Sequence, residues 1–248
     1  MKNPCLFLFI CIFASVLFAE DGPVYHVPIH GTIDMGLPHY IQRVVNEAEE
    51  NNANVIIFDI DTFGGRVDAA TQIKDIILDS KVTTIAFVNK RAISAGALIA
   101  LSCDSIFMTP GASIGAATAV DLQGNKASEK VISYMREEMA STAEANNRSR
   151  GVATAMVDEE LSIDFLLNMQ GDTLTAKDVE GFAEGKLITL STQLAVQLGI
   201  AGGEFERIED VLKYMELENV EQKNTEESWS EKLVRFLTNP VVAPLFMS

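Results

Sequence analysis

The stretch Arg91–Ala117, RAISAGALIALSCDSIFMTPGASIGAA, decides the fold of this chain. Ser94 lies in a turn of small residues, the apolar run Ala95–Leu101 follows it, and a second glycine turn contains Ser113. Small residues at a strand-to-helix turn let another backbone approach closely and leave a serine hydroxyl accessible. The stretch therefore predicts a reactive hydroxyl at the end of a strand.

The histidines limit how such a serine could be activated. The chain has three of them, His26, His30 and His39, and none follows position 39. A nucleophilic Ser94 is therefore expected to use a lysine or a carboxylate as its base.

The segments on either side alternate between buried strands and helices. The runs 54–60 (NVIIFDI) and 82–88 (VTTIAFV) are rich in β-branched residues, as buried parallel strands are. A helical pattern follows each of them. Strand, turn and helix recur at roughly 30-residue spacing, which predicts an α/β fold of repeated crossover units.

A glycine pair follows the first of these strands, in the sequence Asp61–Arg66 (DTFGGR). Paired glycines there let backbone N–H groups point into a cleft, as an oxyanion hole requires, although a tight turn alone also explains them. Ser94 follows the next strand. Because the carboxyl ends of parallel strands meet at one edge of a sheet, we expect both turns to lie together.

Composition divides the 248 residues into a leader, one domain and a C-terminal appendage. Residues 1–19 predict a secretory signal peptide, with a retained membrane anchor as the alternative. Residues 20–215 form the main domain, and the acidic segment 216–235 is expected to be a polar linker. The apolar residues 236–248 predict the start of a truncated membrane segment, or else a tail packed on the domain. The main domain is thus expected outside the cytoplasm and associated with a membrane.

Charge and metal-ligating residues narrow the function further. The net charge of −16 and the lack of a basic stripe argue against a nucleic-acid partner. Cys103, the only cysteine after the leader, is expected to be a buried structural thiol. Asp59 and Asp61 alternate on one strand, but no further carboxylate cluster supports a metal, and no cofactor is expected.

Three motifs together resemble a known superfamily. They are GG at 64–65, SAG at 94–96 and PGASIGA at 110–116. The combination resembles the ClpP/crotonase superfamily and, within it, the signal-peptide-peptidase-A-like branch. The stretches 129–148 and 155–158 (AMVD), with the terminal NPVVAPLFMS, are similar to the NfeD-type membrane-bound serine proteases. The resemblance covers about residues 24–215 and the tail.

The resemblance implies a fold and a set of site residues. The fold would be a ClpP/crotonase-like superhelix of repeated ββα units, and the chemistry a serine–lysine dyad without histidine. Carried over by motif, Ser94 is the nucleophile, and the N–H groups of Gly65 and Ala95 form the oxyanion hole. The turns that would line the substrate groove contribute Gly64, Gly96 and Ser113. Ser113 is also a rival nucleophile, although its proline–glycine turn explains it.

The lysine of the dyad is left open. Where the resemblance places it, just before Ser141, this chain has Ala140. Because a lysine is protonated at neutral pH, the base needs apolar surroundings that lower its pKa. The candidates, in order, are Lys130 at the start of the same predicted helix, Lys126 in the loop before it and Lys90 close to Ser94.

These observations lead to one main hypothesis and two alternatives. The main one is a membrane-associated serine endopeptidase that cleaves apolar peptide segments bound as an added strand. By resemblance, its substrate would be a stomatin-type membrane partner, and the protein would form a homo-dimer or larger oligomer. The alternatives are an inactive scaffold of the same fold, which Ala140 favours, and a crotonase-like acyl-thioester enzyme.

Overall fold

The computed structural model describes residues 22–120, 124–238 and 242. The strands are β1 (Val24–Ile33), β2 (Val55–Gly65), β3 (Thr83–Ile93), β4 (Ser105–Met108), β5 (Ser113–Gly115), β6 (Leu166–Leu167), β7 (Thr173–Leu174), β8 (Thr189–Ser191), β9 (Gly203–Glu204) and β10 (Gln222–Asn224). The α-helices are α1 (Leu37–Glu50), α2 (Val67–Leu78), α3 (Ala95–Ser102), α4 (Glu129–Ala145), α5 (Arg150–Ala155), α6 (Thr192–Gln197), α7 (Ile208–Tyr214) and α8 (Trp229–Thr238), and a short 3₁₀ turn spans Glu180–Phe182.

The core of the molecule is one sheet with the strand order β10-β1-β2-β3-β4-β9. All neighbours in this series pair in parallel. Beyond the end of β4, β5 continues the pairing with β3, and β8 runs antiparallel to β5. The predicted succession of crossover units is confirmed. Strands β2 and β3 both extend beyond the apolar runs from which they are predicted.

Each face of the sheet has its own apolar layer, because successive side chains of a strand point to opposite faces. In β2, Phe58 and Ile60 face the main core with α1, α2 and α3. Val55 and Ile57 face a smaller cluster that α7 covers. The strand β2 therefore has apolar residues on both faces, as a central parallel strand requires.

A buried arginine joins the ends of two helices. The Arg148 guanidinium donates to the carbonyl oxygens of Leu101 (2.8 Å), Asp104 (3.0 Å) and Ile200 (3.2 Å). Burial lowers the pKa of Arg148 below its ordinary value. The Asn146 side chain also donates to Leu101 O, at 2.9 Å, so the last turn of α4 meets the last turn of α3.

The segment 216–235 differs from the predicted polar linker. It contributes β10, which pairs with β1, and most of α8. Its charged residues form ion pairs with the domain, since Glu231 bonds Arg43 at 2.9 Å and Arg235 bonds Asp34 at 2.8 Å. A sequence rich in acidic residues thus folds onto the domain because basic partners on α1 and α8 neutralise it.

The predicted leader, residues 1–19, and most of the predicted membrane segment, residues 236–248, lie outside the described residues. Among the helices that the structure describes, none has both the length and the apolar character to cross a bilayer.

We expect Arg148→Leu to lower the free energy of unfolding by about 2–4 kcal/mol, because buried carbonyl groups lose their donors. Urea denaturation followed by circular dichroism measures this loss. Arg150→Leu is the matched control: Arg150 is exposed, and its ion pairs with described residues are those with Glu137 and Glu144, so its removal should leave the free energy of unfolding nearly unchanged. Equal losses for the two variants would contradict the role given to Arg148.

Docking of α8 should depend on pH. The Arg43 guanidinium, helped by the N–H and hydroxyl of Ser228, lowers the pKa of Glu231 from 4.5 to about 2. Since the folded-state pKa lies below the ordinary one, this contribution is present above about pH 4.5 and is lost as the pH falls towards 2. The protection factors of the α8 amides, which relate the observed hydrogen-exchange rates to the intrinsic rates at the same pH, should therefore fall on acidification, by a factor of about two to five for this one pair.

Glu231→Gln should reproduce this loss of protection at neutral pH and remove part of its pH dependence. The control is Glu226→Gln, because Glu226 is 84% exposed and lies 3.9 Å from Lys232. If both variants exchange like the wild type, Glu231 does not hold α8.

Candidate active site

Ser94 has a strained backbone at the junction of β3 and α3. Its φ is 56° and its ψ is −119°, which only glycine adopts readily. The residue immediately precedes α3, and its N–H donates to Gly115 O at 2.9 Å. No hydrogen bond of the Ser94 hydroxyl to another described residue is found. This is the geometry of a nucleophile elbow, in which a sharp turn presents the hydroxyl.

The glycine pair lies directly against this turn. Gly64 has a φ of +105°, and a Cβ placed on it would stand 2.7 Å from Ser94 Cβ and 3.2 Å from Ala95 N. A Cβ on Gly65 would stand 2.1 Å from Ile33 O. The two predicted turns therefore do meet, although Gly64 and Gly65 end β2 in pairs with β1 rather than follow the strand.

Thr62 stabilises the Gly64 turn, a role that its sequence context does not predict. Its hydroxyl donates to Gly31 O at 2.5 Å and accepts from Gly64 N at 2.8 Å. Its Cγ2 would stand 2.5 Å from a Cβ on Gly96, which explains the glycine in the SAG motif. A threonine between Asp61 and Phe63 has no distinguishing sequence signal, since its role arises from pairing across strands.

Two helices begin at this point. α3 starts at Ala95, directly after Ser94, and α2 starts at Val67, two residues after Gly65. The first N–H groups of a helix have no partner within it, and the helix dipole adds partial positive charge there. The site therefore suits an oxyanion that develops beside Ser94.

A shallow groove flanks the site on both sides of Phe63. One cavity of about 470 Å³ is lined by Phe63, Ser113 and neighbouring residues of β3, and another of about 350 Å³ is lined by Phe63, Thr32 and Gly64. The Phe63 ring is 74% exposed, and the Arg91 guanidinium lies 4.4 Å from its centroid. Ser113 pairs with Arg91, not with Ser94, so it lies along the groove and away from the elbow.

The two aspartates of β2 each lie beside a basic side chain. Asp59 lies 3.1 Å from His30 Nε2, and Asp61 lies 3.1 Å from Arg91 Nε and 3.8 Å from Lys90 Nζ. Among the described residues, no group of three or more His, Cys, Asp or Glu side chains could hold a metal ion.

Cys103 is fully buried and free, as predicted, and burial raises the pKa of its thiol far above the ordinary value.

The candidate lysines have different surroundings. Lys90 is directed to Asp61. Lys126 is exposed and lies 3.0 Å from Glu159, whose hydrogen bond raises the pKa of Lys126, the opposite of what a base needs. Lys130 is exposed in the first turn of α4, whereas Ala140 is fully buried in the middle of that helix.

Comparison with known proteins gives a family and several relatives. The family model "NfeD1b, N-terminal domain" matches residues 23–225. The Bacillus subtilis membrane protein NfeD1b is 37% identical over 230 residues, which are 93% of this chain and 49% of that protein. The membrane-bound protease PH1510 of Pyrococcus horikoshii is 28% identical over 260 residues, with 100% of this chain and 56% of that protein covered. This chain thus spans about half the length of these relatives.

Solved structures give the same result for the fold. The 1510-N membrane-bound stomatin-specific protease, as a lysine-to-alanine mutant in complex with a substrate peptide, superposes with a TM-score of 0.69 at 26% identity, covering 89% of this chain and 99% of that one. A serine-to-alanine mutant of that protease gives 0.67 at 25% identity, covering 84% and 100%. ClpP1 from Listeria monocytogenes gives 0.52 at 23% identity, covering 73% and 91%. The fold is therefore ClpP-like, as predicted.

The contact between Gly64 and Ser94 should make Gly64 intolerant of a side chain. We expect Gly64→Ala to lower the free energy of unfolding by about 2–4 kcal/mol, because a positive φ and a steric overlap add. Gly111→Ala is the matched control, since Gly111 also has a positive φ of +76° but nothing within 4 Å of an added Cβ. It should cost only about 1 kcal/mol. Equal costs in urea denaturation would contradict the close contact.

Proposed function

The chain belongs to the NfeD1b N-terminal domain family, and on this premise we propose that it is a membrane-associated serine endopeptidase with Ser94 as its nucleophile. The observation that carries the proposal is the elbow at Ser94, strained at φ 56° and packed against Gly64. A non-glycine residue in such a conformation persists where the surrounding structure imposes it, and such sites are often functional.

The proposed reaction is acyl transfer to serine followed by hydrolysis. Ser94 Oγ attacks the peptide carbonyl carbon and gives its proton to a neutral lysine. The N–H groups of Gly65 and Ala95 stabilise the oxyanion. The lysine then protonates the leaving amine, and water releases the acyl group by the reverse sequence.

We propose Lys130 as the base, and the packing of α4 beside α2 supports it. Lys74 of α2 bonds Glu138 of α4 at 2.9 Å, and Tyr134 donates to Thr71 at 3.4 Å. The step from Lys74 to Thr71 on α2 therefore corresponds to the step from Glu138 to Tyr134 on α4, about one turn on each helix. A further turn leads from Thr71 to Val67 and from Tyr134 to Lys130. We therefore expect Lys130 to lie beside the start of α2, next to the glycine pair.

The other end of α4 supports the same assignment. Asn146 meets Leu101, at the end of α3 farthest from Ser94. The first turn of α4 therefore lies towards the Ser94 end. In addition, the Ala127 N–H donates to Ala119 O at 3.0 Å, so the chain before Lys130 returns close to the segment that follows Gly115.

The substrate we propose is an extended peptide with apolar side chains, laid along the groove beside Phe63. The exposed phenyl ring offers an apolar contact. That a relative with this fold is described as stomatin-specific supports a stomatin-type membrane protein as the partner. Assembly of this chain into a homo-oligomer stays a prediction.

The test is reaction of the full chain with a fluorophosphonate, which labels activated serines. Ser94→Ala should abolish labelling, and Lys130→Ala or Lys130→Arg should slow it by about 10²–10⁴-fold, since neither variant offers a neutral amine. Ser113→Ala and Lys126→Ala are the controls and should label at the wild-type rate.

The outcomes separate the alternatives. Unchanged labelling of Ser94→Ala contradicts the nucleophile, and unchanged labelling of Lys130→Ala contradicts the base alone. A wild-type chain that folds but never labels favours the inactive scaffold, which the exposure of Lys130 also favours. Turnover of an acyl thioester without peptide cleavage would favour the crotonase-like reaction.

A further inference from the structure

The C-terminal helix α8 has two faces of opposite character. At 100° per residue, Glu231 and Arg235 lie on one side and a stripe of apolar side chains lies roughly opposite. The stripe consists of Trp229, Leu233, Phe236 and Leu237, which are 78%, 39%, 54% and 43% exposed. Amphipathic helices of globular domains normally turn their apolar side inward, so this arrangement is reversed.

The polar face holds the helix in this orientation. Glu231 accepts two bonds from Arg43, at 2.9 and 3.0 Å. Arg235 donates to Asp34 at 2.8 Å and to Thr32 O at 3.0 Å, and it also bonds Glu227. These partners all belong to the domain or to the chain just before α8. The apolar stripe therefore cannot turn inward without breaking the ion pairs.

We propose that the stripe Trp229, Leu233, Phe236 and Leu237 is a lipid-contacting surface that lies at the boundary between headgroups and acyl chains of a bilayer. Tryptophan and phenylalanine are the residues that favour this boundary. The helix has ten residues and is about 15 Å long, so it lies along the surface and does not cross it.

The sequence that follows the stripe supports lipid over a second copy of this chain. No charged residue occurs between Phe236 and Ser248, so the apolar character continues beyond the helix. Four side chains on one short helix also fall well below the roughly 800 Å² per partner of a stable protein interface. The net charge of −16 disfavours anionic lipids, so the expected surface is zwitterionic.

This surface would set the position of the groove relative to the membrane. Arg235 bonds the carbonyl of Thr32, and Thr32 lines the cavity beside Phe63 and Gly64. The helix therefore docks at the rim of the groove. The inference does not depend on peptidase activity.

Trp229 is the single tryptophan of the chain, so its fluorescence reports on α8 alone. With phosphatidylcholine vesicles, the full chain should show a blue shift of Trp229 emission. Lipids with a spin label near the headgroup should quench it more strongly than lipids labelled at the end of the acyl chain. Leu233→Gln together with Phe236→Gln should weaken this quenching by about tenfold or more.

The matched control is Leu167→Gln, which removes an apolar side chain that is 62% exposed elsewhere on the surface. It should leave the quenching unchanged. The proposal is overturned if the chain does not bind the vesicles, or if it binds them and Trp229 stays unquenched. It is also overturned if, without lipid, the wild type forms dimers by sedimentation velocity that the double variant does not, because the stripe is then an interface between copies.

Discussion

The close approach of two backbones at Gly64 and Ser94 is the constraint on which the site depends. A Cβ on Gly64 would come within 2.7 Å of the Ser94 Cβ, so the end of β2 and the start of α3 touch without a side chain between them. The strand register enforces this, since Thr62 pairs with Ala92, two residues before Ser94. The strained φ of Ser94 follows from this contact and from the hydrogen bond of its N–H to Gly115. The position of Ser94 and its strained φ thus have the same cause, the parallel pairing of β2 with β3.

The close approach of Gly64 and Ser94 also brings the N-termini of two helices near the site. Helices α2 and α3 both begin within three residues of the contact, so the N–H groups of their first turns lie near it. In a chain with a net charge of −16, partial positive charge at these two helix N-termini favours negative charge locally. The aspartates nearest the site do not oppose this, because Asp61 pairs with Arg91 and Asp59 lies beside His30. The arrangement is compatible with the oxyanion of the proposed reaction.

The sequence predicts the repeated strand and helix units of the fold. It does not predict a role that depends on one contact between residues far apart in the chain. The β-branched runs in β2 and β3 suffice to predict a parallel sheet, and the small residues at 64–65 and 94–96 suffice to predict that the turns lie together. Thr62 could not be found, because its hydrogen bonds to Gly31 and Gly64 exist only once β1 and β2 pair. The segment 216–235 is predicted as a linker for the same reason. Its charges look solvated in the sequence, and only the fold shows that Arg43 and Asp34 neutralise Glu231 and Arg235.

The last of these ion pairs connects the two ends of the molecule. Arg235 bonds Asp34 and Thr32 O, and the next residue of β1, Ile33, accepts the Arg66 N–H at 2.8 Å and pairs with Gly65. A displacement of α8 would therefore act on the strand against which the glycine pair rests. Gly36 allows this docking, since a Cβ there would stand 2.4 Å from Arg235 Cγ. Whatever binds the outer face of α8 is thus separated from the proposed oxyanion hole by one arginine and one strand. Because β1 pairs with the glycine pair of β2, a displacement of α8 that moves β1 would also move the glycine pair.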